Sequence, residues 1–325
     1  LLHRIRVARK GIGSRLSRRV LEITVTGLLA GVWLSVAASS ASEPLHVLLT
    51  NDDGYRAPGI IAVHNALLDA GFRVTVVAPK DQQSGSSMRV SIGQIAVAQV
   101  GDNFWAVSGT PADSVSWALN TVLRDDRPDI VVSGANFGQN LGGNTNLSGT
   151  VGAAIMATQL GVPAVAVSVG IDLAERKSEP VRYPTTAAAF PRAAAFTVAL
   201  LKDLVRTAAG GPLLAPHRLL NVNYPALPAA GIKGVRTTRV AHTGGFEARF
   251  VEPGPDGTVR IDLEQSDPVD AKTPGGDTEL FAAGYVTVSV IDAALDAGDG
   301  AATALENRLG DGLDAFVRAG SKAPR

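Results

Sequence analysis

The chain has 325 residues, no cysteine and no net formal charge; hydrophobic residues make up 46% of it and aromatic residues 5%. That length accommodates one large domain, and a composition poor in aromatics and rich in Gly and Ala favours close-packed α/β layers. Without cysteine there can be no disulfide, no thiolate nucleophile and no zinc–thiolate centre.

In chain order, residues 1–41 read as a targeting segment. Arg4, Arg6, Arg9, Lys10, Arg15, Arg18 and Arg19 form a basic start, Ile23 to Ala38 an apolar stretch, and Ser39-Ser40-Ala41 a small-residue cleavage site. Ser17-Arg18-Arg19 is similar to a twin-arginine export signal. At 16 residues the apolar run is short for a membrane span, so the expectation is a cleaved signal, no lasting span, and a periplasmic or secreted protein. The segment holds seven of the 30 basic residues and one of the 30 acidic ones, which leaves 23 against 29 and a net charge of −6 on the remainder. An acidic remainder without a basic patch is a poor partner for a nucleic-acid duplex.

The pattern then alternates. Leu45 to Thr50 reads as a buried strand, Pro58 to Ala70 as an amphipathic helix, Phe72 to Ala78 as a second strand, and Thr110 to Leu123 as a helix with Pro111 at its first position. Asp129 to Ser133 is a third strand, Gly149 to Leu160 a small-residue helix and Ala164 to Val169 a fourth strand. Strands separated by helices imply right-handed crossovers and a mostly parallel, Rossmann-like sheet with helices on both faces. Thr185 to Thr207 reads as an Ala-rich helix and Leu219 to Asn223 as a short strand. From about Gly234 to Ile291 the pattern is β-rich with turns, a C-terminal β-hairpin extension in which His242 to Gly245 and Asp277 read as solvated turns. Residues 296–325 read as a flexible tail with one short helix over Leu305 to Val317.

In an open parallel sheet, ligands bind beyond the carboxyl ends of the strands. Three loops there are rich in glycine and short oxygen-bearing side chains: Asn51-Asp52-Asp53-Gly54, Lys80-Asp81-Gln82-Gln83-Ser84-Gly85, and Gly134-Ala135-Asn136-Phe137-Gly138. Adjacent carboxylates repel, so Asp52–Asp53 at a strand end calls for a compensating cation. Oxygen donors suit a hard divalent ion, Mg²⁺, Mn²⁺ or Ca²⁺. Taken alone, the same four residues also make an ordinary turn. Ser148-Gly149-Thr150 opens a helix whose N–H groups and hydroxyls make a phosphate site, or simply a capped helix start.

These segments together resemble the SurE (survival protein E) family of 5′/3′-nucleotidases. The likeness rests on LLTNDDGYRAPGI (48–60), SGTPADSVSWAL (108–119), PDIVVSGANFGQNLGGN (128–144), SGTVGAA (148–154), NVNYP (221–225) and DTELFAAGYVTVSV (277–290). The resemblance implies one divalent metal held by Asp52, Asp53, Ser84 and Asn136. It further implies hydrolysis of nucleoside monophosphates and a homodimer or homotetramer exchanging C-terminal elements. On that reading Asp52, Asp53 and Asn136 are catalytic and Ser148, Gly149 and Thr150 bind phosphate. The chain departs from the family at Lys80 to Gln83, where a basic stretch is common, and at Leu147, where Tyr is common. Two competing readings keep the fold and change the chemistry: an exported protein that binds a phosphorylated ligand without hydrolysing it, and a metal-dependent esterase. A serine triad enzyme lacks its Gly-x-Ser-x-Gly elbow here.

Overall fold

The structure, a computed structural model, describes residues 43–177, 183–243, 246–254, 256–265, 273–294 and 299–309. The targeting segment expected over 1–41 and residues 310–325 of the expected tail lie outside the described residues. The strands are β1 (His46–Thr50), β2 (Arg73–Pro79), β3 (Val97–Gly101), β4 (Phe104–Val107), β5 (Ile130–Phe137), β6 (Ala164–Val169), β7 (Arg218–Tyr224), β8 (Val235–Thr238), β9 (Phe246–Phe250), β10 (Ile261–Gln265) and β11 (Val286–Asp292). The helices are α1 (Pro58–Asp69), α2 (Pro111–Trp117, followed by a wide turn over Ala118–Val122), α3 (Gly149–Gln159), α4 (Pro184–Ala208), α5 (Asp277–Ala282) and α6 (Asp299–Leu309).

Nine strands form one sheet in the order β3-β4-β2-β1-β5-β6-β7-β11-β8. From β4 to β7 every neighbour is parallel. β3 is antiparallel to β4, and β11 is antiparallel to β7. β1 and β6 are buried along their whole length, which is why they read as continuous apolar runs: helices cover both faces of a parallel sheet. One face carries Val47, Leu49, Val76, Val132, Val165 and Val167 against α1 and α4, with Phe190 at its centre. The other carries Leu48, Val77, Val131 and Leu219 against α2 and α3. α3 is almost all small residues, and Ala153, Ala154 and Ala157 sit fully buried on that second face.

The C-terminal region carries the expected hairpin: β9 and β10 form an antiparallel pair apart from the main sheet. β8 and β11 extend the main sheet, with β11 lying between β7 and β8. Asp277 is not a solvated turn residue. It begins α5 and is fully buried. Its carboxylate accepts from Gly142 N (3.1 Å), Ala241 N (2.9 Å) and Thr278 N (2.9 Å). One side chain thus ties three separated stretches of backbone together, and burial pushes its carboxyl above the usual range against those three donors.

Candidate metal centre

The chain leaves β1 toward β2 on one side, while β5 lies on β1's other side. The carboxyl ends of β1 and β5 therefore flank the point where strand order reverses, the place where an open sheet leaves a crevice. Asn51 to Gly54 follows β1, Asn136 lies near the end of β5, and Ser84 lies in the loop after β2. Topology alone brings Asp52, Asp53, Ser84 and Asn136 to one edge. Two histidines lie away from them: His46 and His217 sit at the opposite ends of β1 and β7, and His46 is buried with its ring against the Thr75 hydroxyl at 3.0 Å.

Asp52 is buried, 2% exposed. It accepts from the Thr150 hydroxyl (2.7 Å) and the Thr150 backbone N–H (3.2 Å). Burial still holds its carboxyl above the usual range, with the Thr150 donors working against that rise. Asp53 is half-buried, and one of its oxygens accepts from the Phe137 N–H at 2.9 Å. Burial, then the neighbouring charge of Asp52, pushes Asp53 up to about 7. Two carboxylates that resist ionising side by side form a site in want of positive charge.

Close approach of backbones builds the rest. A Cβ on Gly149 would stand 2.6 Å from Ser86 Oγ and 2.9 Å from Asp52 Cβ, and one on Gly152 would stand 2.1 Å from the Ser87 carbonyl oxygen. Only glycine lets α3 settle against both the acidic pair and the 84–88 loop. That loop is tied down by Gln83 N to Asp52 O (2.7 Å) and by the Ser87 hydroxyl to Asn146 O (2.7 Å). The Gln82 amide nitrogen lies between two of the expected ligands, 2.7 Å from Ser84 Oγ and 3.4 Å from Asp53 Oδ1. A hydrogen-bond donor thus occupies the space that a cation would share with them.

Asn136 supplies the test of whether a metal fits. Its amide nitrogen donates to Gly138 O at 2.7 Å, which fixes the orientation of the side chain. Its Oδ1 is then buried with no hydrogen-bond partner among the described residues. An orphaned buried acceptor costs about 1–3 kcal/mol; Asn136 adjoins Phe137, whose N–H meets Asp53, and a hard cation held by the acidic pair is a ligand that would relieve it. Among the described residues no three His, Cys, Asp or Glu side chains cluster as a metal site, so the donor set that fits is two carboxylates with neutral oxygens. That set is the chemistry of Mg²⁺, Mn²⁺ or Ca²⁺ rather than zinc.

The start of α3 behaves differently from the phosphate cradle expected for Ser148, Gly149 and Thr150. Ser148 Oγ caps the helix, accepting from Val151 N at 3.1 Å, and both Thr150 donors are turned on Asp52. The anion at this helix start is the protein's own carboxylate, and the helix N-terminus favours its negative charge. The Phe137 N–H and Gln82 are site groups that spacing did not reveal as such, and Thr150, expected on a phosphate, is found on Asp52.

The sequence profile described as "Survival protein SurE" matches residues 47–245. Among relatives, the 5′-nucleotidase SurE of Parvibaculum lavamentivorans is 37% identical over 203 residues, covering 62% of this chain and 68% of that one. The 5′-nucleotidase SurE of Anaeromyxobacter sp. (strain Fw109-5) is 43% identical over 197 residues, 60% of this chain and 68% of that one. The crystal structure of the SurE protein from Aquifex aeolicus superposes with a TM-score of 0.65 at 29% identity, covering 82% of this chain and all of that one.

Proposed function

The chain belongs to the survival protein SurE family, and from that premise we propose that it is a divalent-metal-dependent nucleotidase, releasing phosphate from nucleoside 5′- and 3′-monophosphates. The observation that carries this reading is the orphaned Asn136 Oδ1, one residue before the Phe137 N–H on which Asp53 rests, taken with the mutually repelling Asp52–Asp53 pair. Relatives named 5′-nucleotidase support the choice of substrate over the binding-protein and esterase readings.

Asp52, Asp53, Ser84 and Asn136 would hold the ion, Mg²⁺ or Mn²⁺ first and Ca²⁺ as the third candidate. A bound divalent ion supplies Lewis acidity toward a phosphate oxygen and lowers the pKa of a bound water. The protein's residues do the positioning. Thr150 fixes both oxygens of Asp52, and the Phe137 N–H fixes one oxygen of Asp53. Asp53 Oδ1 therefore faces the same space as Ser84 Oγ and is the acceptor placed to take a proton there. The Gly149 N–H at the start of α3 would be the donor that meets charge developing on a phosphate oxygen.

The same reading includes export to the periplasm or outside through residues 1–41, and assembly as a homodimer or homotetramer. Phosphate release from a panel of nucleoside monophosphates, each with Mg²⁺, Mn²⁺ or Ca²⁺, tests the activity. Turnover that survives chelation, or acyl-ester hydrolysis without phosphate release, would refute it.

A further inference from the structure

β7 carries two asparagines where a buried strand ordinarily carries apolar side chains. Alternation along the strand puts Asn221 and Asn223 on the face of Leu219, toward α3, while Leu220, Val222 and Tyr224 join the core on the other face. Both asparagines are fully buried. The register places Asn223 beside Ser168 of β6, and Ser168 beside Asn136 of β5. The expected metal ligand is therefore the first of three polar residues in a line across three strands.

The group these side chains hold is Asn140. Its backbone N–H donates to Asn223 Oδ1 (2.7 Å), and its carbonyl oxygen accepts from Asn221 Nδ2 (2.8 Å) and Asn223 Nδ2 (3.1 Å). Its own Nδ2 donates to the buried Ser168 Oγ at 2.9 Å. Because the partners are a backbone N–H and a backbone oxygen, the orientation of the Asn223 carboxamide is determined. Just before it, the Gly138 N–H donates to Val169 O at 2.8 Å, and Gln139 Oε1 accepts from the Ile171 N–H at 3.0 Å. Residues 138, 139 and 140 are thus each tied to β6, to β7 or to the chain just beyond β6. Asn136 and Phe137 immediately precede this stretch, and Asn136 Nδ2 donates into it, to Gly138 O.

Packing alone does not account for the arrangement. Asn221 turns its amide nitrogen to Asn140 and leaves Oδ1 buried with no hydrogen-bond partner among the described residues. An apolar side chain there would avoid that penalty, and would give up one of the two donors on Asn140 O. Natural chains break such local rules mainly where function needs a group held in place.

We propose that Asn140, Asn221, Asn223 and Ser168 are positioning residues. They clamp the 138–140 backbone and so hold Asn136 Oδ1, and the Phe137 N–H that meets Asp53, in the places the cation requires. The inference rests on the metal-centre reading for what the clamp serves. It adds that the ligand set is fixed from β6 and β7, two strands that contribute no ligand.

Three measurements on the full chain test it: Mn²⁺ affinity by calorimetry, urea melts with chelator, and amide hydrogen exchange at Phe137 with chelator. Outer residues that orient metal ligands are worth about 10- to 100-fold in affinity. Asn221→Val removes the orphaned oxygen together with one donor to Asn140. It is expected to be at least as stable as the wild type, to bind Mn²⁺ about tenfold more weakly and to lose protection at Phe137. Ser168→Ala is expected to change affinity and protection in the same direction, by less. Val222→Ala, between the two asparagines on the opposite face, is the control; it opens a cavity and is expected to lower stability with Mn²⁺ affinity unchanged. Should Asn221→Val not fold, Ser168→Ala decides the outcome on the same readouts. The inference is overturned if the variants keep wild-type Mn²⁺ affinity, or if Val222→Ala weakens Mn²⁺ binding as much as they do. A wild type that binds Mn²⁺ and releases no phosphate sinks the proposed reaction and leaves this test as it stands. A wild type that binds no divalent ion sinks the metal-centre reading, and Phe137 exchange then decides the clamp: lost protection in the two variants but not in Val222→Ala upholds it, and retained protection overturns it.

Discussion

Replacing Asp53 by Asn removes a charge and changes little else in shape, and the structure says what that should do. In the metal-free protein the Asp53 carboxyl is raised from 3.8 to about 7 by burial and by Asp52. That rise corresponds to roughly 4 kcal/mol opposing ionisation in the folded state. The sign follows from proton counts. Between about pH 4 and pH 7 the native chain holds a proton that the unfolded chain has released, so stability falls as pH rises and the loss is complete above about pH 7. Asn at this position never ionises, and its side-chain oxygen can still accept from the Phe137 N–H. Metal-free Asp53→Asn should therefore be more stable than the wild type at pH 8, by about 2–4 kcal/mol, and by about half of that or less at pH 5. Mn²⁺ should close most or all of that gap at pH 8, because ligand at about 100 times its Kd adds roughly 2.7 kcal/mol to the wild type and little to the variant. Urea melts at both pH values, with chelator and with Mn²⁺, measure all of this. A variant destabilised equally at pH 5 and pH 8, or one that keeps metal-dependent turnover, would refute the reasoning about the pair.

Three further outcomes follow from the same geometry. Ions that displace protons from raised carboxyls bind more weakly in acid, so apparent Mn²⁺ affinity should fall by about tenfold per pH unit per proton displaced below about pH 7, and calorimetry in buffers of different ionisation enthalpy should detect the released proton. Gly152→Ala would place a Cβ 2.1 Å from the Ser87 carbonyl oxygen; it should cost about 1–3 kcal/mol by overpacking and displace the Ser84 loop, weakening Mn²⁺ binding more than a cavity mutant of equal stability does. Asp277→Ala strands three buried N–H donors, and a loss of about 3 kcal/mol or more in urea melts is expected.

How much of this was legible in the sequence depended on which force decided each element. β1, β2, β6 and α3 were readable because burial on both sides writes itself as an apolar run or a small-residue helix. β3 and β4 were not. They are short, the edge strand β3 and its inner neighbour β4, joined through a tight turn in which Asn103 takes a positive φ of 51°, and β3 is mostly exposed, so no period of two marks it. β8 and β11 were readable as strands but not as members of the main sheet, because pairing partners far apart in sequence leave no local signal. The site followed the same division. The three loops that bear Asp52, Asp53, Ser84 and Asn136 could be read from strand ends, and the family resemblance implied those four within them. That Thr150 would face Asp52 rather than a phosphate depended on how closely Gly149 lets α3 approach, which is a matter of packing and not of pattern.

The position of β11 has a consequence for where the protein can be cut. The stretch that matches the family profile stops at residue 245, and it contains β8 but not β11, the strand that joins β8 to the rest of the sheet. Boundaries drawn along the chain and boundaries drawn in space therefore disagree. A fragment ending at 245 would leave the edge of β7 unpaired and β8 with no neighbour, and would lack the Asp277 carboxylate that fastens Gly142 to Ala241. During synthesis β8 emerges well before β11, the strand it must pair with, so this side of the sheet waits on β11 before it can close.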